Sequence, residues 1–313
     1  MSMKETGIII KGVGGLYEVK CGSETHYCSA RGKFRRRDIS PLPGDLAEIE
    51  LIEQSGIMKK DTLQADAVIA QIMPRKNQFI RPKLANLTHL FILSSTVSPV
   101  PSPIVMDKLC AVCVYKGVKP VLIFTKTDLA SAESYRDVYQ HAGFDVFLVS
   151  NETGDGVEEI KTYLQKITAG ETCTIAFAGN SGVGKSSLLN QIFPELQLET
   201  GEISQKLGRG RHTTRTAQLY PVWDTQSYVV DTPGFGAMET EQYELIRKEE
   251  LADCFPEFEP YRDDCYFTGC SHTVEKGCAV LAALKEGKIE ASRHESYCTM
   301  YQEAKSIKEW ELK

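Results

Sequence analysis

Gly179-Asn180-Ser181-Gly182-Val183-Gly184-Lys185-Ser186 is a complete GxxxxGKS phosphate loop, and its place in the chain decides how the rest is read. A strand-like run, Thr174 to Ala178, precedes it and the apolar pair Leu188-Leu189 follows. In that strand, loop and helix setting, glycines let successive backbone N–H groups turn toward phosphates while the helix adds its positive end. Lys185 is expected to reach the β- and γ-phosphates and Ser186 to offer its hydroxyl to Mg²⁺, with Asn180 to Gly184 and Ser187 completing the cradle. Downstream, Asp231-Thr232-Pro233-Gly234 is a DxxG, in which Asp231 would hold the metal's water shell and the Gly234 N–H would sense the γ-phosphate.

The base-reading element stands on the other side. Thr125-Lys126-Thr127-Asp128 follows the apolar run Val121 to Phe124 and precedes the phosphate loop, whereas an ordinary small GTPase places its TKxD or NKxD after the DxxG. The order is that of a circularly permuted G domain. It leads the chain from the DxxG directly into the C-terminal region, on which a nucleotide-driven movement would then pull. Asp128 can accept two hydrogen bonds from guanine N1 and N2, which adenine cannot offer, and Lys126 would lie along the base. The commonest form of the motif has Asn at the position of Thr125, and a threonine has one hydroxyl for both N7 and the phosphate loop. Ser150-Asn151-Glu152-Thr153-Gly154 resembles an SAxTG loop; alone it reads as a polar turn, and in order with the other motifs it completes the base pocket through Ser150 and Asn151.

Between the phosphate loop and DxxG, Lys206 to Arg215 occupies the interval of switch I, where Thr213 or Thr214 is the candidate for Mg²⁺ and γ-phosphate. Ordinary GTPases place a water-orienting glutamine immediately after DxxG. Phe235 stands there, so His212 is the candidate to position the attacking water, with an RNA or phosphate contact as its alternative role.

Three regions differ in habit. Residues 1–72 read as short strands, Gly7 to Ile10, Leu16 to Val19, Thr25 to Cys28 and Asp45 to Leu51, separated by glycine turns, which suggests a closed β-barrel of OB type. Within it, Arg31-Gly32-Lys33-Phe34-Arg35-Arg36-Arg37 places five basic residues around one aromatic, the pattern of a phosphate-tracking and base-stacking loop or of a solvated surface. Residues 1–70 carry ten basic and ten acidic side chains, so this charge is concentrated. Residues 73–236 alternate apolar runs with polar stretches, as in an α/β domain with a mostly parallel sheet. Residues 237–313 are helix-like around a cysteine and histidine cluster.

The hydrophobic fraction of 42% with 25% charged residues is that of a globular protein, and the formal charge of −6 argues against a uniformly basic nucleic-acid binder. Met1-Ser2-Met3-Lys4-Glu5-Thr6 lacks a signal-peptide layout and no window is apolar enough to span a bilayer, so a cytoplasmic chain with no membrane association and reduced cysteines is expected. Cys265, Cys270, His272 and Cys278 fall within fourteen residues, a donor set suited to tetrahedral zinc with no position left for water, hence a structural site. Cys110 and Cys113 form another CxxC, in an apolar stretch, and read as core packing.

Taken together, the chain resembles the ribosome small-subunit-dependent GTPase A family, also called RsgA, YjeQ or YloQ. The likeness rests on Arg81-Pro82, Ala85-Asn86-Leu87, the permuted motifs, Gly208 to Thr214, Asp231 to Phe235 and the cysteine cluster with Glu275 and Gly277 to Val280. Thr125 and Thr88 depart from residues common there. The resemblance implies a multidomain chain with an OB barrel, a central permuted GTPase domain and a helical zinc domain carrying one structural Zn²⁺. It implies GTP hydrolysis to GDP with Mg²⁺, stimulated by the small ribosomal subunit late in its assembly, with rRNA touched by the barrel, including Arg31, Lys33, Arg35, Arg36 and Arg37, and by the zinc domain. His212 is the hydrolytic residue in that scheme, and a monomer is expected. Two other classes stay open: an RNA-binding assembly factor that uses GTP as a conformational lock, and a P-loop ATPase or kinase.

Overall fold

The computed structural model describes residues 3–31, 34, 40–52, 65–80, 82–196, 217–223, 225–231 and 246–306. Lys33, Arg35, Arg36, Arg37, Arg81, His212, Thr213, Thr214, Gly234 and Phe235 lie outside the described residues, as does the side chain of Asp231. The chain divides into two compact units, residues 1–88, 168–176 and 209–235 in the first and residues 89–167, 177–208 and 236–313 in the second.

The first unit begins with five strands, β1 (Lys4–Val13), β2 (Leu16–Cys21), β3 (Glu24–Ala30), β4 (Leu46–Leu51) and β5 (Ala67–Ile72), which close into a barrel in the order β1-β2-β3-β5-β4. Consecutive strands pair antiparallel where tight glycine turns join them, β4 returns to β1, and β3 meets β5 in parallel at Cys28 and Ala67. This is the OB arrangement expected from the strand spacing. Ile9, Val19, Cys28, Ala47, Ile49, Ala67 and Ile69 fill it. Phe34 joins that core, buried to 6% exposure. The aromatic of the basic stretch therefore does not stand out to stack on a base, because burying its ring in the barrel outweighs leaving it among charges.

After the barrel, a short hairpin, β6 (Gln78–Phe79) and β7 (Leu84–Ala85), is stitched to the Pro43-Gly44 corner. Ala85 N donates to Pro43 O at 2.9 Å, and Asn86 Nδ2 to Gly44 O at 2.9 Å. Gly44 has φ 89°, and a Cβ there would lie 2.1 Å from Ala85 O, so no other residue fits. Arg75 grips the fully buried Asp45 with both Nε and Nη2, at 2.7 and 2.8 Å, a bidentate pair that fastens the segment after β5 to the barrel.

In the second unit, β8 (His89–Ser95), β9 (Lys119–Thr125) and β10 (Asp145–Val149) run parallel, in register from His89 and Lys119 to Ser95 and Thr125. Helices α1 (Pro103–Tyr115), α2 (Glu133–His141) and α3 (Val157–Gly170) make the crossovers. Strand β11 (Thr174–Gly179) lies beside β8 and leads into α4 (Lys185–Ile192). Its first half, in the first unit, pairs in parallel with β13 (Tyr228–Asp231), whose antiparallel neighbour β12 (Gln218–Pro221) has no counterpart in the sequence reading. The inner strands are apolar almost throughout, as sheets covered on both faces require.

The second unit ends in two short helices, α5 (Glu259–Arg262) and α6 (Ala279–Lys285), and a longer one, α7 (Ala291–Ser306), which lies against α1. Cys110 and Cys113 sit fully buried in α1, where burial pushes both thiols well up, in keeping with core packing. Between α1 and α7, Arg293, only 1% exposed, donates to Asp107 Oδ1 and to Glu257 Oε1, the latter at 2.7 Å, while Phe255, Phe144 and Tyr139 surround the guanidinium at 4.7 to 5.6 Å. Removing the cation alone would strand two buried carboxylates, at a cost of about 3–5 kcal/mol. Arg293→Ala is thus expected to destroy hydrogen-exchange protection in α1 and α7, whereas Arg293→Met together with Asp107→Leu and Glu257→Gln should keep much of it. Parent-like protection in Arg293→Ala would show that the triad holds nothing together.

Candidate nucleotide site and metal centre

Every candidate nucleotide motif of the second unit begins where a parallel strand ends. Thr125 is the last residue of β9, Ser150 follows β10, and Gly179 closes β11. Loops at the carboxyl ends of parallel strands are where open α/β sheets hold ligands. Asn180 to Gly184 form the loop, Lys185, Ser186 and Ser187 open α4, and Leu188, Leu189 and Ile192 bury its inner face. In the first unit, Asp231 likewise ends β13.

The three loops of the second unit are joined by side-chain bonds to backbone carbonyls. Fully buried, Thr125 donates its hydroxyl to Val183 O at 2.6 Å. Asn151 Nδ2 donates to Gly184 O at 3.0 Å, and Gln191 Nε2, from α4, donates to Asn151 O at 2.9 Å. Asp128 accepts from Ser150 Oγ at 2.6 Å, which fixes the carboxylate's direction, and Thr153 N donates to the same hydroxyl oxygen at 3.2 Å. Lys126 adopts the left-handed φ of 60°, with its carbonyl held by Thr96 Oγ1 at 2.7 Å and its Nζ donating to Ser98 O at 2.9 Å. Thr127 N reaches Val149 O at 3.3 Å, tying the loop to the next strand.

The motif letters do not reveal Thr96, Ser98 or Gln191. Thr96 and Ser98 lie just beyond the end of β8, so their signal is strand position alone; Gln191 carries none, because its partner is 40 residues away. Of the basic stretch, the described Arg31 is already engaged, its Nη2 donating to Glu50 Oε2.

The four metal candidates converge. The ligand atoms of Cys265, Cys270, His272 and Cys278 all lie within 4.8 Å of one another. Cys265 Sγ and Cys278 Sγ are 3.8 Å apart, and His272 Nδ1 is 3.5 Å from each. Tetrahedral Zn²⁺, at about 2.3 Å from sulfur and 2.0–2.1 Å from nitrogen, would place S···S near about 3.8 Å and S···N near about 3.6 Å, so the donor set fits. Backbone N–H groups of Ala279 and Leu281 point at the Cys265 and Cys278 sulfurs at 3.4 Å, and Cys278 caps α6, so the helix start favours negative sulfur. Burial pushes the Cys270 thiol up to about 12 and lowers the His272 imidazole, which favours the neutral, ligating form of that ring.

Glu275 braces the loop between the ligands. Its carboxylate accepts from Ser271 N at 3.0 Å and from the N–H groups of Thr273 and Val274 at 3.2 Å. Against the desolvation of burial, the Ser271 hydroxyl and these backbone donors hold it down at about 2. His294 Nε2 donates to His272 O, and the Tyr297 hydroxyl to Ser271 O, each at 2.8 Å, so α7 supports the same loop.

Thr125→Val keeps the shape of the buried side chain and removes the donor to Val183 O. An acceptor left unpaired in a buried site costs about 1–3 kcal/mol, so GTP and GDP should each bind roughly tenfold more weakly, measured by calorimetry. Equal affinities in the variant and the parent would mean that the hydroxyl does not shape the loop.

Comparison with known proteins agrees along the chain. The family described as RsgA N-terminal domain matches residues 6–57, and that described as RsgA GTPase matches residues 72–241. The Small ribosomal subunit biogenesis GTPase RsgA of Caldanaerobacter subterraneus subsp. tengcongensis is 40% identical over 303 residues, 96% of this chain and 95% of that protein. Its namesake in Agathobacter rectalis is 36% identical, covering 96% and 98%. Among solved structures, YjeQ from Thermotoga maritima is 31% identical with a TM-score of 0.77, covering 98% of this chain and 100% of that one. YloQ, titled a circularly permuted GTPase, is 29% identical with a TM-score of 0.74, covering 98% and 96%. With parallel strand ends carrying the permuted motifs and relatives matching over nearly its full length, the chain belongs to the RsgA GTPase family of GTP-hydrolysing enzymes.

Proposed function

We propose that this chain hydrolyses GTP during maturation of the small ribosomal subunit and that binding to the subunit stimulates the reaction. The observation that carries this reading is the joining of Thr125, Ser150 and Asn151 to Asp128, Val183 and Gly184 at the ends of neighbouring strands. The names of the relatives supply the ribosomal partner. In this reading Asp128 pairs with guanine N1 and N2, Lys126 covers the base, Thr127, Ser150 and Asn151 complete its pocket, and Gly179 to Ser187 surround the phosphates. Ser186 would hold Mg²⁺ and Asp231 its water shell, and the metal when bound would neutralise charge on the phosphate oxygens. Gly234 and one of Thr213 and Thr214 sense the γ-phosphate, and His212 positions the attacking water.

The functional division is residues 1–72, 73–236 and 237–313. Arg31, Lys33, Arg35, Arg36 and Arg37 contact rRNA from the barrel, and Arg31 must then exchange Glu50 for a phosphate. Cys265, Cys270, His272 and Cys278 hold one structural Zn²⁺, whose ligation supplies folding free energy directly. The chain acts in the cytoplasm as a monomer.

Multiple-turnover GTP hydrolysis with and without purified small subunits tests the proposal. Strong stimulation is expected in the parent and no turnover in Lys185→Ala; identical rates with and without subunits would end the ribosomal reading. At saturating subunits, His212→Ala should slow single-turnover hydrolysis roughly a hundredfold with affinity kept, the scale of a lost positioned group. Parent-like rates would move His212 to an RNA contact.

Metal analysis separately tests the zinc site. One equivalent per chain is expected, lost in Cys270→Ser together with order in the C-terminal segment. Full zinc content after serine replaces Cys265, Cys270 and Cys278 together would remove the assignment.

A further inference from the structure

Two neighbouring carbonyls of the phosphate loop are held from outside it, Val183 O by Thr125 and Gly184 O by Asn151. In a trans peptide the C=O of one residue and the N–H of the next point to opposite sides of the chain. Fixing the Val183 carbonyl therefore aims the Gly184 N–H, and fixing the Gly184 carbonyl aims the Lys185 N–H. Leu188 N donates to the same Gly184 oxygen at 3.0 Å, so its two lone pairs serve the helix and Asn151. The approach is close: Gly184 has φ 87°, and a Cβ built on it would lie 2.5 Å from Asn151 Nδ2. Gln191, on the helix that the loop opens, holds the Asn151 backbone in turn, so loop, helix and base-side turn form one ring of bonds.

We propose that Asn151 is a positioning residue whose side-chain carboxamide orients the Gly184–Lys185 peptide, so that the N–H offered to a nucleotide phosphate depends on the base-side turn. The proposal rests on the reading of this loop as the GTP site, and it gives the Asn151 side chain a task toward the phosphates, leaving only its backbone to complete the base pocket. At the position of Thr125 one hydroxyl serves one carbonyl; the second carbonyl of the pair is served by the carboxamide of the next strand's loop.

The test uses the full-length chain and begins with GTP turnover by the parent, whose absence would end the reading of the site itself. Asn151→Ala and Asn151→Leu, the second close in size, uncharged and without the donor, are then titrated with GTP, GDP and inosine triphosphate, which lacks the 2-amino group. Loss of one buried hydrogen bond predicts about tenfold weaker GTP and GDP binding, with the preference for GTP over inosine triphosphate unchanged and the thermal midpoint lowered by no more than about a few degrees. Gln191→Leu should shift affinity in the same direction by less. Unchanged GTP affinity in both Asn151 variants overturns the proposal. So does a collapse of the preference over inosine triphosphate, which would place the side chain in the base pocket.

Discussion

A phosphate loop can turn its N–H groups outward only if the carbonyls on the opposite side of the same peptides find donors inside the protein. Here those donors come from the ends of two other strands, and that requirement ties the site to the sheet. Ser95, Thr125 and Val149 form one row across β8, β9 and β10. Thr125 takes its place under Val183 because its strand stands in that register. A slip of one residue would turn the Thr125 side chain to the other face of the sheet and orphan a buried carbonyl. The long apolar strands guard against such a slip, since the same movement would misplace every buried side chain from Val121 to Phe124.

The C-terminal part of the second unit solves a different problem. Two of its three helices are short, α5 being a single turn and α6 seven residues, and the buried apolar set around them is modest, with Leu251, Phe255, Phe258, Val280, Ile289, Tyr297 and Met300 among its larger members. So small a core needs staples. One is the Cys3His cluster with the Glu275 network beneath it, where hydrogen bonds to backbone N–H groups, and in the proposed reading ligation of a metal, take the place of core contacts. Another is Arg293, whose cation pairs with Glu257 of this region and with Oδ1 of Asp107 in α1 at once. The pair of carboxylates makes the joint specific, because no apolar residue at position 293 could satisfy both.

Much of the candidate site was legible because its residues announce themselves locally. Gly179 to Ser186, Thr125 to Asp128 and the four metal candidates carry their chemistry in their letters and spacing; the structure places the nucleotide motifs at strand ends and the ligand atoms of the four metal candidates within 4.8 Å of one another. The barrel was legible from four runs; its fifth strand, Ala67–Ile72, as long as β2 and β4, shows an apolar run without strict alternation, and the edge strand Gln218–Pro221 has only four residues, too few to show a period. Phe34 misled because charge around an aromatic looks the same whether the ring faces solvent or core. Arg75 with Asp45 and Arg293 with Asp107 lie 30 and 186 residues apart, and no local pattern announces a partner at that distance.

Permuting the motif order leaves the site's geometry available because the constraint is on register and not on connection. Parallel strands bring their carboxyl ends to one edge whichever is made first. What does change the chemistry is the residue at the end of β9. The single proton of the Thr125 hydroxyl is spent on Val183 O, so none is left to donate to an acceptor on the base such as guanine N7. Asp128 is unaffected: Ser150 occupies one lone pair of Oδ1, and the carboxylate keeps acceptor capacity for two donors side by side. In the proposed reading, discrimination against adenine survives through Asp128, while the binding strength that a second amide would have added near N7 is forgone. In that reading the threonine holds the phosphate loop, and the guanine preference rests on the carboxylate.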